Sequence, residues 1–289
     1  MKKRKNNMRK GILTAVIFLA LAVIILLFIG GCGRNERNEI TADADGITTL
    51  RVGATPSPHA EILEFLVDYL AAENINLVIT EFTDFVLPNM ALDGNDIDAN
   101  FFQHTPFMDT FNEDRDTHIV AVGKIHYEPM GIYPGRSDSL ENIQEGASIA
   151  VPNDVTNGAR ALLLLEAQGL ITLDPDAGLL ATTRDIVDNP LNLTITEMDA
   201  AGIGRALPDV DFAVLNGNFA LQAGLTVRHD ALAIEDKTSI AAETYANVLA
   251  VNAGNENNEA VLRLLQAMQS EKVRAFIEEK YDGGVVPVF

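Results

Sequence analysis

The chain has 289 residues, of which 47% are hydrophobic and 21% are charged, and its net charge is −20. This composition supports a packed core in one large or two modest domains, and it excludes wholesale disorder. The first 31 residues hold six basic and no acidic residues, which leaves 15 basic against 41 acidic residues in the rest of the chain. So acidic a body argues against nucleic acid as a partner.

The first 32 residues have the pattern of an export signal. A basic stretch ends at Lys10, and the 21 residues of 11–31 carry no charge, which is long enough to span a bilayer as a helix. The run ends in IGGC at 29–32, which resembles the bacterial lipobox, where the cysteine is acylated and the peptide is cut before it. We therefore predict a signal peptide over 1–31 and lipidation of Cys32. The alternative is an uncleaved transmembrane anchor.

Cys32 is the only cysteine of the chain, so a disulfide within the chain and a four-cysteine zinc site are both excluded. Residues 32–48 are polar and lack apolar periodicity, which predicts a flexible tether. The folded part begins near Thr49. Predicted strands cover 49–54, 75–82, 97–102, 147–151, 193–196, 212–215 and 245–251, and the segment 118–133 is rich in strand.

Helices are predicted between these strands. They cover 83–92, 105–112, 137–145, 158–168, 199–207 and 259–280, and an earlier one has an apolar face of Ile62, Phe65, Leu66, Tyr69 and Leu70. Alternating strands and helices favour an α/β protein with a largely parallel sheet, and two such sets suggest two lobes. Ligands of such folds bind where strands end and where domains meet, so the strand-to-helix junctions are the places to look for a site.

The junction at 150–160 runs from a strand through a polar turn into an apolar helix. Free N–H groups at the start of a helix attract an anion, and the planar fork of Arg160 suits a carboxylate. Asn157 offers a further hydrogen bond. The alternative is ordinary capping by Asp154, Thr156 or Asn157, with Arg160 in solvent.

Two other strand ends combine apolar and polar side chains. NFFQHTPF at 100–107 would line an apolar pocket with His104 as its polar contact, or else pack in the core with a satisfied histidine. DFAVLNGNFA at 211–220 presents Asn216 and Asn218 to the polar head of an amino acid, or else forms a turn. The sequence has no G-x-S-x-G, P-loop or G-x-G-x-x-G motif, and its histidines lack metal-ligand spacing at i, i+4. We expect neither a cofactor nor a metal.

Several stretches together resemble the methionine-binding lipoproteins of bacterial ABC importers, the NlpA family. They are ITEFTDFVLPNMALDGNDIDANFFQHTPF, YEPMGIY, SIAVPNDVTNGARALLLLEAQGLI, DFAVLNGNFA, AETYANVLAV and the closing YDGG, and the likeness covers essentially 49–284. The resemblance implies an α/β, two-lobed periplasmic-binding-protein fold, similar to type II, with a ligand cleft between the lobes. The first lobe would comprise 49–128 and 241–289, and the second lobe 129–240.

The resemblance also implies a function. The protein would capture L- or D-methionine, without enzymatic activity, and deliver it to an ABC permease and its ATPase. Its lipid anchor would hold it at the outer face of the cell membrane. The alternatives are another small amino acid or a methionine-containing dipeptide as ligand, a surface interaction protein with an idle pocket, and an anchored surface enzyme.

By motif position, the resemblance implies roles for eight residues. Arg160 would clamp the ligand carboxylate with Asn157 beside it, and Asn216 or Asn218 would bind the amino-acid head. The thioether side chain would be enclosed by Phe85, Phe102, His104 and Phe107, which suits a polarizable sulfur. The chain departs from the family in having Phe85 and Phe107 where the family often has Tyr.

Overall fold

The computed structural model describes residues 40–236 and 243–289. The predicted signal peptide, Cys32 with most of the tether, and the predicted return to the first lobe near Ala241 lie outside the described residues. Within these two ranges, none of the helices is both long enough and apolar enough to cross a membrane.

Thirteen strands are found in the described residues. In chain order they are β1 (Thr48–Ala54), β2 (Ile75–Glu81), β3 (Ala99–His104), β4 (Ile119–Tyr127), β5 (Gly131–Pro134), β6 (Ser148–Pro152), β7 (Thr172–Leu173), β8 (Ile186–Asp188), β9 (Thr194–Met198), β10 (Phe212–Leu215), β11 (Ala233–Ile234), β12 (Asn247–Asn252) and β13 (Val286–Pro287). A six-stranded sheet has the order β13-β4-β12-β3-β1-β2, and a five-stranded sheet has the order β11-β5-β10-β6-β9. The strands β7 and β8 pair with each other.

Both large sheets are mixed, so the predicted largely parallel sheet is wrong. In the first sheet β1 is parallel to β2 and β3, but β12 lies antiparallel between β3 and β4. In the second, β6 is parallel to β9 and β10, but β5 is antiparallel to β10 and β11. The physical reason is the chain path, because β5 and β12 enter their sheets from the other sheet and not through a helical crossover.

Within the described residues, α-helices pack on these sheets. They are α1 (Glu61–Glu64), α2 (Val67–Ala71), α3 (Leu87–Asp93), α4 (Thr105–Arg115), α5 (Val155–Ala167), α6 (Ala200–Ala206), α7 (Gly217–Gln222), α8 (Glu259–Met268) and α9 (Glu271–Tyr281). The helix predicted over 259–280 is therefore two helices, because Ser270 caps α9 by accepting a hydrogen bond from the Val273 N–H.

Two further helix predictions are corrected by the structure. Residues 137–145 form turns and bends, where side chains such as Ser139 bond to the nearby backbone and compete with a helix. The apolar face predicted around Ile62 is interrupted between α1 and α2, and Phe65 and Tyr69 are 43% and 45% exposed.

Each sheet has its own apolar core. Leu50, Val52 and Phe101 belong to a cluster on the first sheet, whereas Ile149 and Phe212 belong to a cluster on the second. The folded part is thus an α/β protein with two lobes. The carboxyl ends of β3, β6 and β10 lead directly into α4, α5 and α7 by way of His104, Asn153–Asp154 and Asn216. The exact lobe boundaries remain a prediction.

Candidate ligand-binding site

A cavity lies between the lobes, at the carboxyl ends of β3, β6 and β10. Its lining contains all eight predicted site residues, Phe85, Phe102, His104, Phe107, Asn157, Arg160, Asn216 and Asn218, together with Gln103, Glu128, Gly217 and Asn247. The volume of the cavity is about 20 Å³. The cavity is thus narrow, and a ligand of several heavy atoms requires its walls to move apart.

Phenylalanine rings form the apolar wall of the cavity. The Phe85 ring lies 5.9 Å from Phe102 and 5.8 Å from Phe107, measured between ring centroids. On its other side, Phe85 contacts Phe219 of α7 at 4.7 Å. The cluster therefore joins the first lobe to the second. Phe219 stands in the segment 211–220, but it was not among the predicted site residues.

A hydrogen-bond chain fixes the orientation of the polar wall. Asp154 caps α5 by accepting from the Asn157 N–H, and it also accepts from Asn157 Nδ2 at 3.0 Å. Because a carboxylate only accepts, Asn157 Oδ1 faces away, and it accepts from Asn216 Nδ2 at 2.7 Å and His104 Nε2 at 3.1 Å. His104 Nδ1 accepts from the Phe107 N–H. Burial and the nearby guanidinium lower the pKa of His104 to about 3, so its imidazole is neutral.

Two buried polar atoms of this wall have no hydrogen-bond partner within the described part of the chain, Asn216 Oδ1 and Asn218 Nδ2. Both side chains are almost fully buried. The orientation of the Asn216 side-chain amide is fixed by the hydrogen bonds of this wall, because its Nδ2 donates to Asn157 Oδ1. An unpaired buried polar atom costs about 1–3 kcal/mol. The wall thus presents one acceptor and one donor that a ligand with both kinds of group would satisfy.

Arg160 is 3% exposed, so the alternative in which it points into solvent is wrong. Its Nε and Nη2 donate to the two carboxylate oxygens of Glu235 at 2.7 and 2.6 Å, and Nη2 also donates to the Glu128 carbonyl at 2.7 Å. The Tyr245 ring covers the guanidinium at 4.5 Å. The charge of Arg160 therefore has a counter-ion inside the protein, Glu235, which was not among the predicted site residues.

Glu235 is itself held by several donors. Besides Arg160, it accepts from the Tyr127 hydroxyl at 2.7 Å and from the Met130 N–H at 2.9 Å. Although burial acts to raise it, the pKa of Glu235 is lowered by the Arg160 guanidinium. Glu235 follows the two-residue strand β11, a segment without periodicity or motif, so no local signal in the sequence marks it.

His59, His126 and Glu128 form a buried cluster whose potential metal-ligating atoms lie within 4.8 Å of one another. Hydrogen bonds within the protein engage these side chains, and His59 Nε2 bonds to Asn247 Oδ1 at 3.1 Å. His126 Nε2 lies 2.7 Å from Glu128 Oε1, and His59 Nε2 lies 3.3 Å from the same oxygen. His126 Nδ1 has no partner in the described residues, whereas a ligating histidine normally donates its second N–H to one.

Two α/β lobes that enclose a cavity with an aromatic wall and a polar wall define the class of two-lobed substrate-binding proteins. The model of the family described as NlpA lipoprotein matches residues 50–289. The chain therefore belongs to the NlpA lipoprotein family, and it is a substrate-binding lipoprotein and not an enzyme.

Three relatives illustrate the match. The membrane lipoprotein TpN32 of Treponema pallidum is 42% identical over 238 residues, which is 82% of this chain and 87% of the relative. A nutrient binding protein from Burkholderia cenocepacia, solved bound to methionine, is 42% identical and has a TM-score of 0.78 over 83% of this chain and all of the other. An ABC transporter periplasmic substrate-binding protein from Coxiella burnetii is 38% identical, with the same TM-score and the same coverage of both chains.

Proposed function

We propose that this protein captures free methionine, as the L or D form, in the cavity between its lobes and delivers it to an ABC permease and its ATPase. The observation that carries the proposal is the polar wall, where Asn216 Oδ1 and Asn218 Nδ2 stand unpaired opposite an aromatic wall. An α-amino acid supplies one cationic donor and one anionic acceptor on a single carbon, which matches this pair.

The head group would be held as follows. Asn216 Oδ1 accepts from the ammonium group, and Asn218 Nδ2 donates to the carboxylate. Arg160 uses Nε and Nη2 for Glu235, so the carboxylate would approach the remaining Nη1 edge of the guanidinium. Asn157 would act indirectly, because its Oδ1 accepts hydrogen bonds from Asn216 and His104 and so orients both side chains.

The side chain of the ligand would lie against the phenylalanine wall. Phe85, Phe102 and Phe107 carry no polar atoms, and a thioether makes favourable contacts with aromatic ring edges. A charged or strongly polar side chain would lose its water there without replacement. The wall therefore favours methionine over polar amino acids, and this preference agrees with the methionine bound to the Burkholderia relative.

The predicted lipid anchor and lobe boundaries indicate where the protein would act and how it would close on its ligand. Acylation of Cys32 would anchor the protein at the outer face of the cell membrane, with 32–48 as its tether. The chain would cross between the lobes near Glu128 and near Ala241, and these crossings would act as the hinge of a closing movement. The narrow cavity supports such a movement, because a ligand enters only when the lobes separate.

The test is to identify what the protein carries. The purified protein is denatured, the released small molecules are identified by mass spectrometry, and the refolded protein is screened by thermal shift against the twenty amino acids. We expect methionine in the first measurement. In the second, methionine at 100 times its Kd would add about 2.7 kcal/mol of stability. A different carried molecule, or no response to methionine, would contradict the proposal.

A further inference from the structure

We propose that the Glu128 carboxylate is the counter-ion of the ligand's ammonium group, so that the site requires a cationic amine more strictly than it requires a carboxylate. This inference rests on the proposed function, because it specifies which charged group of the amino acid the site selects.

The carboxylate of Glu128 is held by neutral groups. The residue is 5% exposed and lies between β4 and β5. Its oxygen Oε1 accepts from His126 Nε2 at 2.7 Å, and the Asn218 N–H also donates to the carboxylate. His59 Nε2 lies 3.3 Å from the same oxygen and bonds to Asn247 Oδ1 at 3.1 Å. Burial lowers the pKa of His59 to about 4 and that of His126 to about 3, so both imidazoles are uncharged. The donors orient the carboxylate but do not cancel its charge.

The cavity reaches this carboxylate beside a glycine. Gly217 lines the cavity, and a Cβ atom placed there would lie 3.0 Å from Glu128 Oε2 and 2.8 Å from Glu128 Cβ. The hydrogen at this position thus leaves room for the carboxylate at the cavity wall. The neighbouring Asn216 contributes its unpaired Oδ1 to the same wall. Two acceptors thus line the same cavity, and an ammonium group, which has three donors, can bond to both.

The balance of charge points the same way. Of the described residues that line the cavity, two have a charged side chain, Arg160 and Glu128. Arg160 and Glu235 neutralise each other in a two-pronged ion pair. Glu128 is left without an ion pair of its own; burial raises the pKa of its carboxyl, and the Arg160 guanidinium acts to lower it. A ligand amine restores neutrality, whereas a ligand that is only an acid adds a second uncompensated negative charge.

Two truncated ligands separate these roles without any change in the protein. 3-(Methylthio)propylamine keeps the thioether and the amine, and 4-(methylthio)butanoate keeps the thioether and the carboxylate. Calorimetry on the wild-type protein at pH 7 is expected to show that the amine binds at least about tenfold more tightly than the acid, because only the amine pairs with Glu128. If the acid binds as tightly as the amine, this inference is overturned.

The variant Glu128→Gln keeps the shape and removes the charge. We expect methionine affinity to fall at least about tenfold and the preference for the amine over the acid to disappear. Glu197→Gln, an exposed carboxylate on β9, changes the net charge equally and should change neither quantity. A Glu128→Gln protein that retains the wild-type preference would overturn the inference. Should wild-type protein fail to bind methionine at all, the proposed function fails instead.

Discussion

The charge of Arg160 is already paired with Glu235, so removing Arg160 should affect that partner as well as ligand affinity. Its guanidinium bonds to Glu235 and to the Glu128 carbonyl, and Tyr245 covers its face. A ligand carboxylate therefore meets an arginine that is oriented but not unpaired. Because the Arg160 side chain is already fixed in one rotamer, ligand binding costs less side-chain entropy.

We expect Arg160→Ala to weaken methionine binding by at least ~2 kcal/mol, because the buried ligand carboxylate loses a donor and Glu235 is left without its partner. Calorimetry measures the affinity. Arg160→Lys is the matched variant, since it keeps the charge but not the two-pronged geometry, and it should recover only part of the loss. An unchanged affinity in Arg160→Ala would remove this residue from the site.

Asn218→Leu separates a binding role from a structural role. It removes an unpaired Nδ2 atom, so the free energy of unfolding should stay equal or rise, while methionine affinity falls at least about tenfold. Asn89→Leu is the control. Asn89 is fully buried and its amide exchanges hydrogen bonds with Gln103 and Asn100, so its loss should destabilise the fold. Urea unfolding that shows equal destabilisation of both variants would contradict the role given to Asn218.

At the scale of an element, the β6–α5 junction shows how a helix start builds a binding wall. Asp154 caps the helix and also holds the Asn157 side chain, which in turn orients Asn216. The sequence predicted this junction as a site, but α5 begins at Val155, three residues before the predicted start. The polar residues Asp154, Thr156 and Asn157 belong to the cap and the first turn, which is why hydrophobic periodicity alone placed the start too late.

Asp154→Ala should lower both stability and affinity. The lost cap costs about 1 kcal/mol of unfolding free energy, and methionine affinity falls because Asn157 is no longer held. Ser270→Ala removes the cap of α9 at a residue that does not line the cavity, and should lower stability without changing affinity. Chemical unfolding and calorimetry on both variants give the comparison, and an affinity loss common to both would contradict the proposed link.

The sequence predicted this site better than it predicted the tertiary contacts around it. All eight predicted residues line one cavity, because the motifs that carry them end strands that meet at the cleft. Their roles in ligand binding stay predictions. Glu235 and Glu128 were not found as site residues, because among 41 acidic residues nothing local marks the one that pairs with an arginine 75 positions away. Such pairs are fixed by the chain path between the sheets.

At the scale of the whole molecule, three buried histidines make stability depend on pH. Burial lowers the pKa of His59 to about 4 and those of His104 and His126 to about 3. In the unfolded chain the pKa of each histidine is about 6.5. Below that pH the unfolded state binds more protons than the folded state, so stability is lost as pH falls. Burial raises the pKa of Glu128, so this carboxyl binds a proton more readily in the folded state than in the unfolded state. Its protonation therefore offsets part of the stability that the histidines lose as pH falls.

From pH 7 to pH 5, the expected loss of unfolding free energy is up to about 2 kcal/mol for each of these histidines, less the contribution of Glu128. Urea titrations at the two pH values measure it. His126→Gln should reduce the pH dependence. A protein that is as stable at pH 5 as at pH 7 would contradict the neutral, buried state of these side chains.

A crystal structure of the protein grown with methionine tests the central claim most directly. We predict the ammonium group beside Asn216 Oδ1 and Glu128, the carboxylate beside Asn218 Nδ2 and Arg160, and the thioether among the phenylalanine rings. Methionine bound outside this cavity, or bound with its head group toward the rings, would contradict the account.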